Sequence, residues 1–362
     1  MNITGAVLYK ENTALKIEEL EMQGPSKGEV LVKLKSSGVC HSDWHMIKGD
    51  WGTDSFPMIL GHEGAGVIEE IGDDVTTLEK GDHVVLSWKQ SCGYCEMCEQ
   101  GFPQLCGSVI TLSSKPAIKG SGQTVGRFIN LGTFATYTVV PEIAAIRIDR
   151  DVPFPQASLL GCGVMTGVGA AINTAKVSAG STVAVFGCGG VGLSCIQGAA
   201  ICGAAQIIAV DLSDYKLEIS EKFGVTHTVN ASAQDPVAAI KELTGGLGVH
   251  YAFEAIGLVP DPFVQSIQCT RSHGMTIWVG HPPIGMKINF SPRDIMMEKT
   301  ITSSMYGSAK PHIDFPRLLE LYRVGQLKLD EMVSQSFPLE QANEAFATLS
   351  RNEVVRSVLL ID

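Results

Sequence analysis

Residues 181–204, STVAVFGCGGVGLSCIQGAAICGA, decide the fold class of this chain. The stretch opens with a continuous apolar run rich in β-branched residues, as expected of a strand buried on both faces. Gly187, Gly189 and Gly192 follow as G-x-G-x-x-G, and small residues with helical spacing come next. A strand, a glycine-rich turn and a helix in this order predict the start of a parallel, doubly wound sheet.

The alternation of strand and helix continues beyond this stretch. QIIAVD (206–211), VHYAFEAIG (249–257) and GMTIWVG (274–280) are further strand patterns. SDYKLEISEKFGV (213–225) is an amphipathic helix between a Ser or Asp cap and a glycine. These patterns predict an α/β domain of the Rossmann type over residues 164–304.

The glycine motif also predicts a dinucleotide site. Its glycines, with Gly190 and Val191, would let the backbone approach a pyrophosphate at the positive end of the helix. Asp211 ends the next strand, 19 residues beyond Gly192, and should accept hydrogen bonds from the adenosine ribose, which favours NAD over NADP. Lys216 either flanks that ribose or is a solvated lysine. The alternative is a glycine-rich turn that binds nothing.

The first 150 residues predict short strands and turns. GEVLVKLKSSGVC (28–40) and GDHVVLSW (81–88) alternate apolar and polar residues, with Gly and Asp at the turns. Residues 315–333 are expected to be helical, and VVRSVLLID (354–362) to be a strand that returns to the first domain. We therefore expect a mostly-β first domain from residues 1–163 and 305–362.

Composition and charge exclude several classes of protein. Of the 362 residues, 45% are hydrophobic, which suits a globular α/β protein. The formal net charge of −11 disfavours a nucleic-acid or anionic-membrane partner. The N-terminal residues 1–16 lack the pattern of a signal peptide, and we expect no membrane-spanning segment. The expected location is the cytoplasm.

A cluster of cysteines lies in SCGYCEMCEQGFPQLC, residues 91–106. Cys92, Cys95, Cys98 and Cys106 have the spacing C-x2-C-x2-C-x7-C, which converges thiolates on one tetrahedral ion. In a reducing compartment such cysteines are metal ligands or thiols rather than disulfides. Four sulfurs fill the zinc shell, so this lobe is predicted to be a structural zinc site; the alternative is a run of unrelated thiols.

Three other residues have motif-like surroundings: Cys40 in GVCHSDWH, His62 in ILGHEGAG and Cys162 in LLGCGVMTGVG. Taken alone, a buried histidine is more often a satisfied core residue than a ligand, and a lone cysteine is more often a small hydrophobe. The remaining cysteines are expected to belong to the core of the cofactor domain: Cys188, Cys195, Cys202 and Cys269.

With these motifs in order along essentially the whole chain, the sequence resembles the zinc-dependent medium-chain alcohol dehydrogenases. GVCHSD, GHEGAG, the four-cysteine lobe, GCGVMTGVGA and GCGGVG carry the resemblance. It implies a GroES-like first domain, two zinc ions per subunit, and a catalytic zinc held by Cys40, His62 and Cys162. A fourth position would stay open, in the cleft between the domains, for the alcohol that NAD oxidises to an aldehyde.

The resemblance also implies roles for neighbouring residues. Glu63 matches an acidic neighbour of the metal, and Asp43 a carboxylate that orients the histidine ligand. Ser42 and His45 match a proton path that runs from the substrate hydroxyl across the ribose to solvent. Two cationic residues match partners of the cofactor pyrophosphate: His41 and Arg356.

The substrate is less closely defined. By family position Trp51 and Trp88 should line the channel near the zinc, and two indoles suit a primary aryl or allylic alcohol; the alternative is packing or interface tryptophans. One branch of the family oxidises the glutathione adduct of formaldehyde and has an arginine at the position of Ile110, which is apolar here. That activity is therefore an alternative rather than the expectation. Oxidation of a secondary alcohol or a polyol is a further alternative. A zinc-stabilised binding protein is the non-enzyme alternative. The lengthening at 107–130 favours a homodimer over a tetramer.

Overall fold

A computed structural model of the chain describes residues 1–53, 55–351 and 354–362. The chain forms two compact units, the first made of Met1–Cys162, Lys310–Leu318 and Leu329–Asp362, the second of Gly163–Ala309 and Leu319–Lys328.

Part of the C-terminal region that we assigned to the first domain lies in the second unit. Asn173 donates a hydrogen bond to the carbonyl of Gly307, and the backbone N–H of Lys328 donates to Oε1 of Gln197 at 2.7 Å. These bonds hold residues 305–309 and 319–328 against the second unit.

The elements have the following bounds. The strands are β1 Asn2–Leu8, β2 Lys16–Glu21, β3 Glu29–Val39, β4 Met58–Ile59, β5 Gly64–Ile71, β6 His83–Leu86, β7 Ala117–Ile118, β8 Gly126–Arg127, β9 Tyr137–Pro141, β10 Ala145–Ile148, β11 Thr182–Phe186, β12 Gln206–Asp211, β13 His227–Asn230, β14 Val249–Glu254, β15 Thr270–Trp278, β16 Thr300–Ser303, β17 Val333–Pro338 and β18 Arg356–Leu360. The α-helices are α1 His41–Lys48, α2 Glu96–Glu99, α3 Phe154–Leu159, α4 Met165–Gly169, α5 Gly190–Ile201, α6 Asp214–Ser220, α7 Pro236–Leu243, α8 Pro260–Cys269, α9 Pro311–Arg323 and α10 Ala342–Ser350.

The first unit is mostly β, as predicted. Its larger sheet has the order β10-β6-β5-β3-β18-β17, with β9 also paired to β3, and its smaller sheet has the order β7-β2-β1-β4-β8. The C-terminal strand β18 is antiparallel to β3, with Ser357 opposite Val39. The prediction that the closing strand returns to the first domain is confirmed.

The second unit is a parallel sheet with the order β13-β12-β11-β14-β15-β16. Strand order reverses between β11 and β14, which defines the doubly wound Rossmann arrangement predicted from the sequence. The strand β11 is apolar and almost wholly buried, and α5 follows it through the glycine motif.

Two helical segments differ from the sequence patterns. The predicted helix over 315–333 ends at Arg323, because Gly325 is left-handed (φ 74°) and the backbone N–H of Leu327 turns back to the carbonyl of Leu321. The helical run Phe154–Ala175 is long and apolar enough for a membrane span, contrary to our expectation, but 78% of its apolar window is buried inside the protein, as in a core helix.

Candidate active site

The cysteine lobe brings its four sulfur atoms together. Sγ of Cys95 lies 3.5 Å from that of Cys98 and 3.7 Å from that of Cys106, which in turn lies 3.7 Å from that of Cys92. Sulfurs at 2.3 Å from a tetrahedral zinc are about 3.8 Å apart. The spacing of the thiols therefore fits zinc and is far too long for disulfide bonds.

Backbone donors favour the thiolate form of Cys106, whereas burial raises the pKa of the Cys98 thiol to about 11. The N–H of Cys92 points at Sγ of Cys106, 3.4 Å away. Burial opposes the charged form of Cys106, but this N–H and hydrogen bonds from Ser108 lower the pKa of its thiol to about 6. A thiolate is the form that binds a metal.

A second cluster joins Cys40, His62, Glu63 and Cys162, whose ligand atoms all lie within 4.8 Å of one another. Cys40 follows the end of β3 and precedes α1, whereas His62 and Glu63 precede β5. Because Ser37 of β3 is paired with Gly64 of β5, the two strands deliver these residues to one place.

Cys162 reaches the cluster on a π-helical turn, Leu160–Val164. Single π turns inside helices are frequent at functional sites because they redirect a side chain. The approach is close: a Cβ at Gly161 would lie 2.8 Å from the carbonyl of Leu86 and 3.2 Å from Cα of Glu63.

Asp43 holds the histidine of this cluster. Its Oδ1 accepts a hydrogen bond from the N–H of Gly61 at 2.8 Å, and its Oδ2 lies 3.1 Å from Nδ1 of His62. Burial alone would lower the pKa of His62, but the Asp43 carboxylate and the Cys40 sulfur raise it well above its ordinary value.

The donor set fits a zinc ion. Both ring nitrogens of His62 are buried and make no hydrogen bond with the described residues, although Nδ1 lies 3.1 Å from Oδ2 of Asp43. The Cys162 thiol donates to the Cys40 sulfur, which lowers the pKa of Cys40 well below that of a free thiol and raises that of Cys162. Two sulfurs and an imidazole nitrogen are the ligands of a catalytic zinc that keeps one open position.

Arg356 and Glu63 form a buried ion pair behind these ligands. Burial raises the pKa of Glu63 to about 7, against the opposing pull of the guanidinium. A Cβ at Gly38 would overlap the Glu63 carboxylate. The glycine at this position of β3 therefore provides the space that the carboxylate occupies. The pairing places Arg356 beside the cysteine ligands; its predicted contact with a cofactor phosphate stays a prediction.

Helix α1 carries the other residues predicted for the reaction. His41 is exposed at its first position, Ser42 is half-buried, and His45 is buried on its second turn. Trp51 stacks on the ring of His45, with centroids 5.0 Å apart and planes at 24°. Trp51 therefore lies at the predicted proton path, and Trp88 is half-buried against the core of the same unit.

The glycine motif of the second unit has the shape that a dinucleotide requires. Gly187 is left-handed (φ 94°), and a Cβ at Gly192 would overlap the carbonyl of Gly187, whereas Gly189 faces open space. Asp211 ends β12, and its two oxygens accept the N–H groups of Cys188 (2.8 Å) and Ser213 (3.0 Å).

Around this motif, Lys216 is half-buried on α6. Three of the four predicted core cysteines are buried: Cys188, Cys195 and Cys269. The fourth, Cys202, is half-buried.

Sequence reasoning missed one residue next to the candidate proton path. Asp50 lies beyond the end of α1, and its Oδ2 is 2.7 Å from Nδ1 of His45. The signal that could have found it is Gly49, because a glycine after a helix allows the left-handed turn that reverses the chain.

Comparison with known proteins agrees with this fold and these sites. Residues 26–150 match the family model described as the alcohol dehydrogenase GroES-like domain, and residues 190–323 match that of the zinc-binding dehydrogenases. The fold and the paired metal sites define an oxidoreductase of the medium-chain class. The chain belongs to the zinc-dependent alcohol dehydrogenase family.

Three relatives illustrate its range. The S-(hydroxymethyl)glutathione dehydrogenase of Saccharomyces cerevisiae is 36% identical, covering 99% of this chain and 96% of that protein. The NDMA-dependent alcohol dehydrogenase of Amycolatopsis methanolica is 37% identical, covering 99% of both chains. The crystal structure of the benzyl alcohol dehydrogenase of Acinetobacter calcoaceticus has a TM-score of 0.93 and 35% identity, with both chains fully covered.

Membership of the family confirms the predictions of an oxidoreductase with zinc and NAD. Zinc has its ligands in the two clusters, and NAD is the cofactor typical of these enzymes. The non-enzyme alternative, a zinc-stabilised binding protein, is wrong.

Proposed function

We propose that this chain oxidises a primary aryl or allylic alcohol reversibly to the aldehyde, with NAD as the electron acceptor. The observation that carries the proposal is the buried convergence of Cys40, His62 and Cys162, in which neither ring nitrogen of His62 makes a hydrogen bond among the described residues. Most buried polar atoms in folded proteins have a partner, so this imidazole beside two thiols favours a metal ligand.

Cys40, His62 and Cys162 would hold the catalytic zinc, and the bound ion would supply Lewis acidity toward the substrate oxygen. Asp43 keeps the His62 ring oriented through its contact with Nδ1. The Glu63–Arg356 pair adds a carboxylate beside the sulfur ligands without leaving an uncompensated buried charge.

The proton of the alcohol needs a route out of the site, and α1 offers one. Ser42 and His45 are three positions apart on this helix, so their side chains lie on the same face. In the proposed path the Ser42 hydroxyl accepts the substrate proton and passes its own toward the His45 imidazole. Asp211 would accept hydrogen bonds from the ribose of NAD and repel the extra phosphate of NADP.

Two observations support an aryl or allylic substrate. Trp51 stacks on His45 and offers a planar apolar wall beside the proposed proton path, and Trp88 is a second indole in the same unit. The structure is also similar, at a TM-score of 0.93, to that of a benzyl alcohol dehydrogenase.

Oxidation of a glutathione adduct is the second candidate, because a relative of that activity is 36% identical. Against it, the side chain of Ile110 is apolar, and Asn130 holds its backbone by donating to the carbonyl at 2.8 Å. Nothing at this residue offers a charge to the carboxylates of glutathione.

A substrate panel decides between these activities. Benzyl and cinnamyl alcohols, straight-chain primary alcohols, 2-propanol, a polyol and S-(hydroxymethyl)glutathione are compared by kcat/KM with NAD and with NADP. We expect the aryl and allylic alcohols to lead by at least about tenfold, with NAD. A clear preference for 2-propanol, the polyol or the glutathione adduct would contradict the proposal.

We also propose a cytoplasmic homodimer. Thiolate clusters need a reducing compartment. Strand β16 is at the edge of its sheet and has a strand partner on one side only within the described ranges, and exposed methionines flank it: Met296, Met297 and Met305. An edge with nearby apolar groups suits pairing with a second copy, and light scattering should give twice the mass of the 38.6 kDa chain.

A further inference from the structure

The ring of His45 is contacted by two residues that follow α1, Asp50 and Trp51. Nδ1 lies 2.7 Å from Oδ2 of Asp50, and the indole of Trp51 covers one face of the ring. The His45 side chain is 8% exposed, whereas that of Asp50 is 38% exposed. The carboxylate therefore links a buried imidazole to the surface.

The backbone explains how Asp50 reaches back to a residue five positions earlier. Gly49 is left-handed (φ 77°, ψ 16°) and ends α1, and the N–H of Asp50 donates to the carbonyl of His45 at 3.0 Å. This turn folds the chain over the last helical turn. Asp50 therefore contacts His45 twice. Its backbone N–H donates to the His45 carbonyl, and its side chain lies against the His45 ring.

A second loop braces the same helix end. The N–H of Asn12 donates to the carbonyl of Ile47 at 2.6 Å, and its side-chain amide to that of Lys48 at 3.3 Å. These bonds satisfy carbonyls that a helix end otherwise leaves open. The helix end from which the turn to Asp50 departs is therefore held by hydrogen bonds from Asn12.

The pair determines which nitrogen of His45 carries the hydrogen. A carboxylate only accepts hydrogen bonds, so Nδ1 must be the donor at 2.7 Å. In a neutral imidazole the lone pair is then on Nε2. A carboxylate also lies beside the histidine of the metal cluster, where Oδ2 of Asp43 is 3.1 Å from Nδ1 of His62.

We propose that Asp50 is a positioning residue that fixes His45 in the Nδ1–H tautomer, so that Nε2 is the atom that takes the proton leaving the active site. The inference rests on the proton path of the proposed function. Without Asp50 the ring would populate both tautomers, and in the wrong one Nε2 carries a hydrogen and cannot accept another.

The test combines a spectroscopic readout with kinetics on the zinc- and NAD-loaded enzyme. Histidine labelled with ¹⁵N reports the protonated nitrogen, and the variant His45→Gln assigns the signal. We expect protonated Nδ1 in the wild type at neutral pH, a mixture of tautomers in Asp50→Ala, and an intermediate state in Asp50→Asn, whose amide oxygen still accepts. The kcat of Asp50→Ala should fall roughly tenfold, with KM for the alcohol changed less than twofold, since a whole general acid–base group contributes about 10²–10⁴.

Asp74→Asn is the matched control, because Asp74 is also an ion-paired surface aspartate but lies away from α1, in a pair with Lys27. It should leave both the tautomer and kcat unchanged. A wild-type ring protonated at Nε2, or an Asp50→Ala variant with wild-type tautomer and kcat, would overturn the inference. If the tautomer depends on Asp50 but His45→Gln oxidises alcohols at the full rate, the proton path of the proposed function fails instead.

Discussion

The two cysteine clusters of the first unit are assembled in opposite ways. Cys92, Cys95, Cys98 and Cys106 come from one short segment, 92–106, and three of the four are half exposed. The second cluster draws Cys40, His62 and Cys162 from separate elements and depends on the pairing of β3 with β5. A loop makes the first cluster, whereas the fold of the whole unit makes the second.

The difference also separates their chemistry. Four sulfurs fill the coordination shell of zinc, so the lobe can only stabilise structure. The second cluster has two sulfurs and one imidazole, and the carboxylate of Glu63 beside them is already paired with Arg356. In the proposed function it is the cluster that leaves a position for a substrate.

The largest expected effect comes from removing a ligand of the second cluster. His62→Ala should lower kcat/KM by at least about 10³-fold, because the Lewis acidity of a metal contributes several kcal/mol to a transition state. NADH binding, followed by fluorescence, should change little. The zinc content should fall from two ions to one per chain.

Cys269→Ala is the control for that experiment, since Cys269 is buried but outside both clusters. It should keep both ions and most of the activity. Near-normal turnover in His62→Ala with one zinc ion remaining would remove the basis for a catalytic metal at this cluster.

Breaking the lobe should affect stability first. Cys95→Ala leaves three sulfurs around the ion, and a structural zinc contributes directly to folding. We expect a loss of one zinc ion and a fall in Tm of at least about 5 °C, measured by calorimetry. The protein that stays folded should retain more than half of its specific activity; complete inactivation at unchanged Tm would contradict the assignment of the lobe.

A change in the second unit should spare both clusters. Gly192→Ala places a Cβ against the carbonyl of Gly187 and distorts the turn that faces the pyrophosphate. The Kd for NADH should rise at least about tenfold, with both zinc ions retained. Gly107→Ala, where a Cβ meets nothing within 4 Å, is the control, and an equal loss of NADH affinity in it would point to a general effect.

The smallest effect concerns Glu254, a buried carboxylate that, unlike Glu63, forms no ion pair with the residues that the structure describes. Burial raises the pKa of Glu254 to about 7, although the N–H groups of Ile256 and Gly257 donate to its Oε1. Since the ordinary value is 4.5, the stabilising protonated form is lost as the pH rises from about 4.5 to about 7.

Glu254→Gln should remove that dependence. Urea unfolding at pH 5 and pH 8 should show the wild type losing about 1–3 kcal/mol more than the variant over this interval. Equal losses in the two proteins would mean that Glu254 is ionised in the folded protein throughout.

The sequence predicted most of the fold and half of the site from local patterns. The order of β11, glycine turn and α5 was visible because a buried strand and a dinucleotide turn each leave a short signature. The cysteine lobe was visible because its ligands share one loop. The second cluster needed the family resemblance, since nothing local marks Cys40, His62 and Cys162 as neighbours.

Other contacts had a weak signal or none. The partner of Arg356 is Glu63, which is distant in sequence and close only because β18 and β5 both flank β3. Asp50 reaches His45 at a spacing that no regular helix predicts, through the left-handed Gly49. No pattern in the sequence predicts the π-helical turn at Cys162 either.

Anomalous diffraction at the zinc edge from crystals of the purified protein tests the central claim most directly. The account predicts two zinc peaks per chain, one surrounded by the four sulfurs of the lobe and the other by Cys40, Cys162 and Nε2 of His62, at roughly 2.3 Å for sulfur and 2.0–2.1 Å for nitrogen. A single peak in the lobe, with the side chains of Cys40, His62 and Cys162 packed together around no metal, would contradict it.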